Sequence, residues 1–114
     1  MDWSEFLADT NRQLGLFRAA QPEAAAGFAA LARAATASGA LDPKTKELIA
    51  LAIGVAVHCD GCIGFHTRAA QRHGATREEV AEVVAMCLYM GGGPSLMYGA
   101  KAMDAFDQLA APEG

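Results

Sequence analysis

The stretch LDPKTKELIALAIGVAVHCDGCIGFH, residues 41–66, decides the fold that the sequence predicts. Asp42 is a good N-cap, and Pro43 suits the first position of a helix. The residues that follow are apolar on every side, which is typical of a helix buried in a bundle. The longest apolar run, Leu48 to Val57, has half of the ~20 residues needed to cross a bilayer. We therefore expect a central core helix and no membrane partner.

Helical signals recur along the whole chain, whereas the alternation typical of strands is nowhere sustained. Two amphipathic, surface-facing helices are predicted over residues 3–17 and 21–39. A fourth helix is predicted from about Asp60 to His73, with Gly74 closing it. Thr76 and Glu79 form a capping box that predicts the start of a fifth helix. The glycines at residues 91–93 should break this helix, and Pro94 should begin a sixth. The prediction is an all-α bundle of about six helices in a single domain, residues 1–114.

Composition limits the class of protein and its partners. With 53% hydrophobic and 19% charged residues, the chain is typical of a globular domain. A net charge of −4 gives no basic surface for phosphates, so no nucleic-acid partner is expected. The acidic N-terminus MDWSEFLADTNRQ is unlike a secretory signal, and we expect a cytoplasmic protein.

The apolar surface of the predicted helices indicates self-association. A chain this short cannot easily cover the apolar stripes at Leu88, Met97 and Phe106 by itself, so we predict a homo-oligomer.

Two of the three cysteines, Cys59 and Cys62, have Cys-x-x-Cys spacing, which in a reducing compartment indicates redox chemistry or metal binding. Cys62 falls in the first turn of the predicted fourth helix, where the helix end favours a thiolate. His66 follows four residues later on the same face, so the two resemble a nucleophile and its base. Cys59 would then be the resolving thiol. The reverse order, with Cys59 attacking first, stays open.

Zinc is the sharper alternative, because Cys59, Cys62 and His66 are acceptable ligands, but a structural site needs a fourth. We therefore predict neither a metal nor a cofactor. Cys87 is interpreted as a core residue, and His73 as a charge at a helix C-terminus. Four methionines are interpreted as packing residues, of which some could line an approach to the thiols or a subunit interface: Met86, Met90, Met97 and Met103.

The segment KELIALAIGVAVHCDGCIGFHTRAA, residues 46–70, resembles the signature of the AhpD-like alkylhydroperoxidases in the carboxymuconolactone decarboxylase superfamily. That signature is a glutamate, eleven residues, and then Cys-x-x-Cys-x-x-x-His, which here are Glu47, Cys59, Cys62 and His66. The resemblance covers roughly residues 41–106. It implies an all-helical bundle, a proton relay from the glutamate and histidine to the cysteines, and trimers or hexamers, with a hexamer favoured.

The resemblance also implies a function, an alkylhydroperoxidase-type peroxidase that takes a hydroperoxide or disulfide substrate. Its electron donor would be a dithiol protein, either lipoylated or thioredoxin-like. The chain has Gly61 where the well-known alkylhydroperoxidases carry an additional histidine, which implies a shorter relay. Independently of the resemblance, Glu47 is the last charge before the apolar run and could hold His66 in its base-competent tautomer. The alternatives are a carboxymuconolactone decarboxylase-like enzyme and a non-enzymatic zinc or assembly module.

Overall fold

The computed structural model describes residues 1–110, and that part of the chain contains helices and no strand. The helices in chain order are α1 Trp3–Ala20, α2 Pro22–Thr36, α3 Pro43–Ala56, α4 Asp60–Arg72 and α5 Arg77–Leu109. Within α5, Gly92 leaves the helical region with φ 72° and ψ −156°, so the described chain has six helical segments. The predicted all-α bundle of about six helices is confirmed. The last four residues of the predicted domain lie outside the described residues.

Local capping chemistry sets the helix ends that the sequence predicted. The Asp42 side chain accepts the Thr45 N–H and begins α3. Thr76 and Glu79 form a reciprocal capping box at the start of α5. Gly74, at φ 90°, takes the left-handed conformation just after α4. Each of these ends depends on residues within four positions of one another, which is why the sequence alone predicts them.

The core lies where α3, α4 and α5 pack against one another. Its buried members include Cys87, which confirms the interpretation of that residue as part of the core. The other buried side chains of the cluster are Trp3, Leu51, Val55, Ile63, Val80, Val84, Ala102 and Ala105. This packing holds the end of α3 against the start of α4, where the two neighbouring cysteines lie.

The first turn of α1 attaches the N-terminus to the last turns of α5. Trp3 is buried, and its Nε1–H donates to the Asp104 carboxylate at 3.0 Å. The Trp3 backbone N–H donates to Gln108 Oε1 at 2.9 Å. Beyond this turn, α1 is largely exposed, and α2 has no buried residue. The prediction of two surface-facing helices is confirmed.

The central helix α3 contributes Leu51 and Val55 to the core, but it is not covered on every side within one chain. Ile53 and Val57 remain 57% and 64% exposed, because α2 lies mainly against α1 and leaves this side of α3 open. Met86, Met90 and Met97 are exposed and do not pack in the core of the single chain, which leaves the alternative that some of them line an approach to the thiols or a subunit interface. Only Met103 packs against the core.

By length and composition, α5 is the one helix in the described residues that could cross a membrane. The break at Gly92 divides it into two parts, each shorter than the ~20 residues that a span requires. Val80, Val84, Ala102 and Ala105, from both parts, lie in the protein core. Both parts of α5 therefore contribute to the protein core.

Candidate active site

Cys59 lies in the connection between α3 and α4 and is hydrogen-bonded to both helices. The Cys59 N–H donates to the Gly54 carbonyl at 2.9 Å, and the preceding His58 N–H donates to Val55 O at 3.1 Å. These are the two bonds of a Schellman helix end, with His58 at the left-handed position, φ 60°. Cys59 is also the N-cap of α4, because its Sγ accepts the Cys62 N–H at 3.2 Å. One residue therefore closes one helix and opens the next.

The sulfur atoms of Cys59 and Cys62 lie 2.6 Å apart. Both residues are partly buried, and both thiols are free. The first turn of α4 brings the two side chains together because Cys59 occupies the N-cap and Cys62 the third helical position. Formation of a disulfide from this arrangement requires only a small further approach of the two sulfurs.

The net shift of the Cys62 pKa is opposite to the predicted one, because burial outweighs the effect of the helix terminus. Burial raises the pKa of Cys62 to about 11, and the hydrogen bond and charge of Cys59 contribute in the same direction. The Cys62 backbone N–H has the opposite effect, but it is smaller. Cys62 is therefore a thiol that keeps its proton at neutral pH.

Glu47 and His66 form a close pair across the α3–α4 interface. His66 Nδ1 lies 2.7 Å from Glu47 Oε2, with the Glu47 side chain only 10% exposed and the His66 side chain 35% exposed. An ionised carboxylate can only accept a hydrogen bond, so Nδ1 carries the proton. In the neutral ring, Nε2 is then left with a lone pair, which is the tautomer of a general base. The structure brings together the two residues of the predicted relay.

The pair formed by Glu47 and His66 is not joined directly to the thiols. Within residues 1–110, His66 makes no hydrogen bond to either sulfur, so the expected contact between His66 and Cys62 is absent as a direct bond. The two residues are one turn apart on α4. Proton transfer between them therefore needs a bridging water or a side-chain rotation.

A second group of side chains surrounds the start of α4, and the sequence analysis missed it. The His58 ring stacks on Tyr98, with centroids 4.4 Å apart and planes 8° from parallel. Lys101 Nζ lies 4.7 Å from the centre of the Tyr98 ring and 2.9 Å from Asp60 Oδ1. Tyr98 and Lys101 come from α5, about 40 positions further along the chain, and no spacing pattern connects them to the cysteines.

An apolar cavity of about 570 Å³ opens between α3 and the break in α5. His58 and Cys87 contribute to its wall, whereas Cys59 and Cys62 do not. Burial raises the pKa of Cys87, which suits a neutral packing thiol. Among residues 1–110, no three His, Cys, Asp or Glu side chains form a group that could hold a metal ion. The zinc alternative thus gains no support from the geometry.

The sequence model of the carboxymuconolactone decarboxylase family matches residues 22–105. The chain belongs to this family. The match includes both cysteines and the Glu47–His66 pair, and it confirms the resemblance found in the sequence.

Relatives of this chain in the carboxymuconolactone decarboxylase family include proteins of known structure. A family member from Legionella pneumophila, solved in its apo form, is 52% identical, with a TM-score of 0.92 over 96% of this chain and 97% of that one. A Thermotoga maritima member, described as a candidate in the antioxidative response, is 28% identical, with a TM-score of 0.80 over 90% and 88%. An uncharacterized protein of Cupriavidus necator is 50% identical over 92% of this chain and 93% of its own length.

Proposed function

We propose that this member of the carboxymuconolactone decarboxylase family is an AhpD-like thiol oxidoreductase that reduces hydroperoxides with Cys59 and Cys62. The observation that carries the proposal is the placement of two free thiols, 2.6 Å apart, on the helix that also bears the Glu47-paired His66. A nucleophilic thiol, a resolving thiol and a base are the groups that peroxide reduction needs. The description of the Thermotoga maritima relative points to the same kind of chemistry.

Cys59 is the better candidate for the attacking thiolate. Its sulfur already accepts the Cys62 N–H at the positive end of α4, so a negative charge there is stabilised by the helix terminus. Cys62, with its pKa raised to about 11, is suited to remain protonated until the second step. This order reverses the assignment made from the sequence and adopts the alternative that was left open there.

In the first step, the Cys59 thiolate attacks the terminal oxygen of the hydroperoxide. The S–O bond forms as the O–O bond breaks, and the departing alkoxide takes a proton from water, which replaces the one that the Cys59 thiol released, to become an alcohol. Two electrons pass from sulfur to the peroxide, and Cys59 becomes a sulfenic acid.

In the second step, Cys62 gives its proton to Nε2 of His66, through a bridging water or after a side-chain rotation, and attacks the Cys59 sulfur. The S–S bond forms as the S–O bond breaks, and hydroxide takes the proton from His66 to leave as water. The Glu47 carboxylate stabilises the imidazolium that exists between these two transfers. An external dithiol then reduces the disulfide by two exchange reactions and is itself oxidised.

We propose a lipoylated or thioredoxin-like protein as the dithiol donor, in keeping with the resemblance to the AhpD-like enzymes, and a cytoplasmic location. A reducing compartment keeps a Cys-x-x-Cys pair in its dithiol form between turnovers. The substrate would be an organic hydroperoxide or a disulfide.

We also propose that the protein is a closed homo-oligomer, with a hexamer favoured over a trimer. Large apolar side chains lie exposed on four helices of the described chain, and they include Leu16, Phe17, Phe28, Leu31, Ile53, Met86, Tyr89, Met90 and Met97. Exposed apolar surface on this scale is typical of a protein interface. Closed symmetry would cover the same surface on each subunit.

The proposal is tested by exposing the reduced protein to one equivalent of tert-butyl hydroperoxide. We expect two thiols to be lost per chain, with peptide mapping that finds a Cys59–Cys62 disulfide and an unmodified Cys87. Persistence of both thiols, under conditions that oxidise a small-molecule dithiol, would refute the redox function. Stoichiometric zinc in the purified protein would instead support the metal module, and neither result is expected of a decarboxylase.

Single substitutions then decide the order of attack. Cys62→Ser should leave Cys59 trapped as a sulfenic acid, whereas Cys59→Ser should not react with the hydroperoxide. A sulfenic acid on Cys62 in the Cys59→Ser protein would restore the order inferred from the sequence.

A further inference from the structure

We propose that Gly54 is a positioning residue that sets the separation of the two redox sulfurs. The inference rests on the proposed function of the Cys59–Cys62 pair. It concerns a residue that carries no reactive group and that lies in α3, outside the Cys-x-x-Cys segment.

Gly54 acts on Cys59 through its backbone. Its carbonyl accepts the Cys59 N–H at 2.9 Å, as the long-range bond of the helix end that closes α3. The position of Cys59 is therefore tied to the position of Gly54, whichever side chain the latter carries.

Gly54 also determines how closely Cys62 can approach α3, because glycine has no side chain. A Cβ built at position 54 would lie 2.9 Å from the Cys62 Cβ and 3.5 Å from both the Cys62 carbonyl carbon and the Ile63 nitrogen. Real Cβ atoms essentially never approach another heavy atom so closely, so any larger residue displaces Cys62 or separates α3 from α4. The close approach of the two helices at this point requires glycine.

The low helix propensity of glycine indicates that Gly54 has a specific role in α3. Glycine in a helix interior is less favourable than alanine by about 1 kcal/mol, and the residues around Gly54 in α3 are good helix formers or β-branched apolar residues. Gly54 is buried, and the atom that a Cβ at this position would approach most closely is the Cβ that carries the Cys62 sulfur. Gly54 thus binds the Cys59 backbone and leaves room for the Cys62 side chain. Together these two effects allow the sulfurs to lie 2.6 Å apart.

The test is Gly54→Ala, compared with Gly99→Ala as a matched control. A Cβ at Gly99 would meet Val84 Cγ1 at 2.6 Å, so this change also crowds a helix contact, but it lies against Val84 and not against the cysteines. We expect Gly54→Ala to lower the equilibrium constant for Cys59–Cys62 disulfide formation against glutathione by about tenfold, because strained disulfides are more easily reduced. Gly99→Ala should leave this constant unchanged while it lowers the thermal stability.

A double variant keeps the inference testable if Gly54→Ala folds poorly. Cys62→Gly removes the Cβ that the new methyl group meets, so it should recover part of the stability lost in Gly54→Ala and none of that lost in Gly99→Ala. An unchanged disulfide equilibrium in a folded Gly54→Ala protein, or no recovery in the double variant, would overturn the inference. The disulfide equilibrium is measured without peroxide, so failure of the peroxidase proposal would be seen separately.

Discussion

The sulfur of Cys59 caps the helix that carries Cys62, accepting the Cys62 N–H at 3.2 Å. The same contact places one sulfur against the other and makes their ionisation interdependent. Burial and the presence of Cys59 both oppose negative charge on Cys62.

The first prediction concerns the pKa of Cys62. In Cys59→Ala, the two contributions of Cys59 disappear and burial remains, so the pKa of Cys62 should fall below about 11 and stay above its ordinary value of 9.0. The ultraviolet absorbance of the thiolate, followed against pH in a Cys87→Ala background, measures this change. A pKa of Cys62 that does not move, or that rises, would show that the two thiols are not coupled as the structure indicates.

The second prediction concerns the relay formed by Glu47 and His66. His66→Ala removes the base, and Glu47→Gln removes the charge that stabilises the imidazolium. Each change should lower the rate of disulfide closure by about 10²-fold and shift its pH midpoint upward, because general-base help is lost. Stopped-flow measurement of thiol loss gives both quantities.

The relay prediction has a control in the Arg12–Asp9 ion pair, which is exposed and shares no hydrogen bond with Glu47 or His66. Arg12→Ala should leave the rate and the pH profile unchanged. Wild-type pH profiles in both relay variants would remove Glu47 and His66 from the mechanism.

The third prediction concerns the left-handed backbone of His58. His58→Gly and His58→Ala both lose the stack on Tyr98, and only glycine takes φ 60° without cost. His58→Gly should therefore be more stable than His58→Ala by about 1 kcal/mol, measured by urea unfolding. Ala85→Gly is the control, at an exposed helical position in α5. Glycine should lower the free energy of unfolding there by about 1 kcal/mol. Equal stabilities of the two His58 variants would contradict the assigned helix end.

The fourth prediction concerns assembly. Ile53→Glu places a charge on the uncovered side of α3 and should weaken subunit association by at least about 100-fold, because a buried unpaired charge is costly. Light scattering should then show a smaller particle with unchanged helical content. Ser4→Glu adds the same charge at an exposed polar position and should leave the mass of the particle unaltered. A wild-type particle with the mass of a single chain would refute the oligomer.

Much of the architecture is predictable from the sequence because the signals are local. The Asp42 cap, the Thr76–Glu79 capping box and the break at Gly92 each involve contacts within a few residues, and all three occur in the structure. The Cys-x-x-Cys spacing is local in the same sense, since any helix beginning at Asp60 brings Cys59 and Cys62 together. The sequence by itself therefore determined the helical class, the main helix ends and the candidate thiol pair.

Tertiary packing decided what depends on residues far apart in the chain. Glu47 and His66 are 19 positions apart, and their 2.7 Å contact exists because α3 packs against α4. The raised pKa of Cys62 reflects burial, which no helix-terminus argument includes. The open side of α3 at Ile53 and the stack of His58 on Tyr98 likewise follow from where α2 and α5 lie. A spacing pattern describes one helix, whereas desolvation and long-range contacts are properties of the helices that surround it.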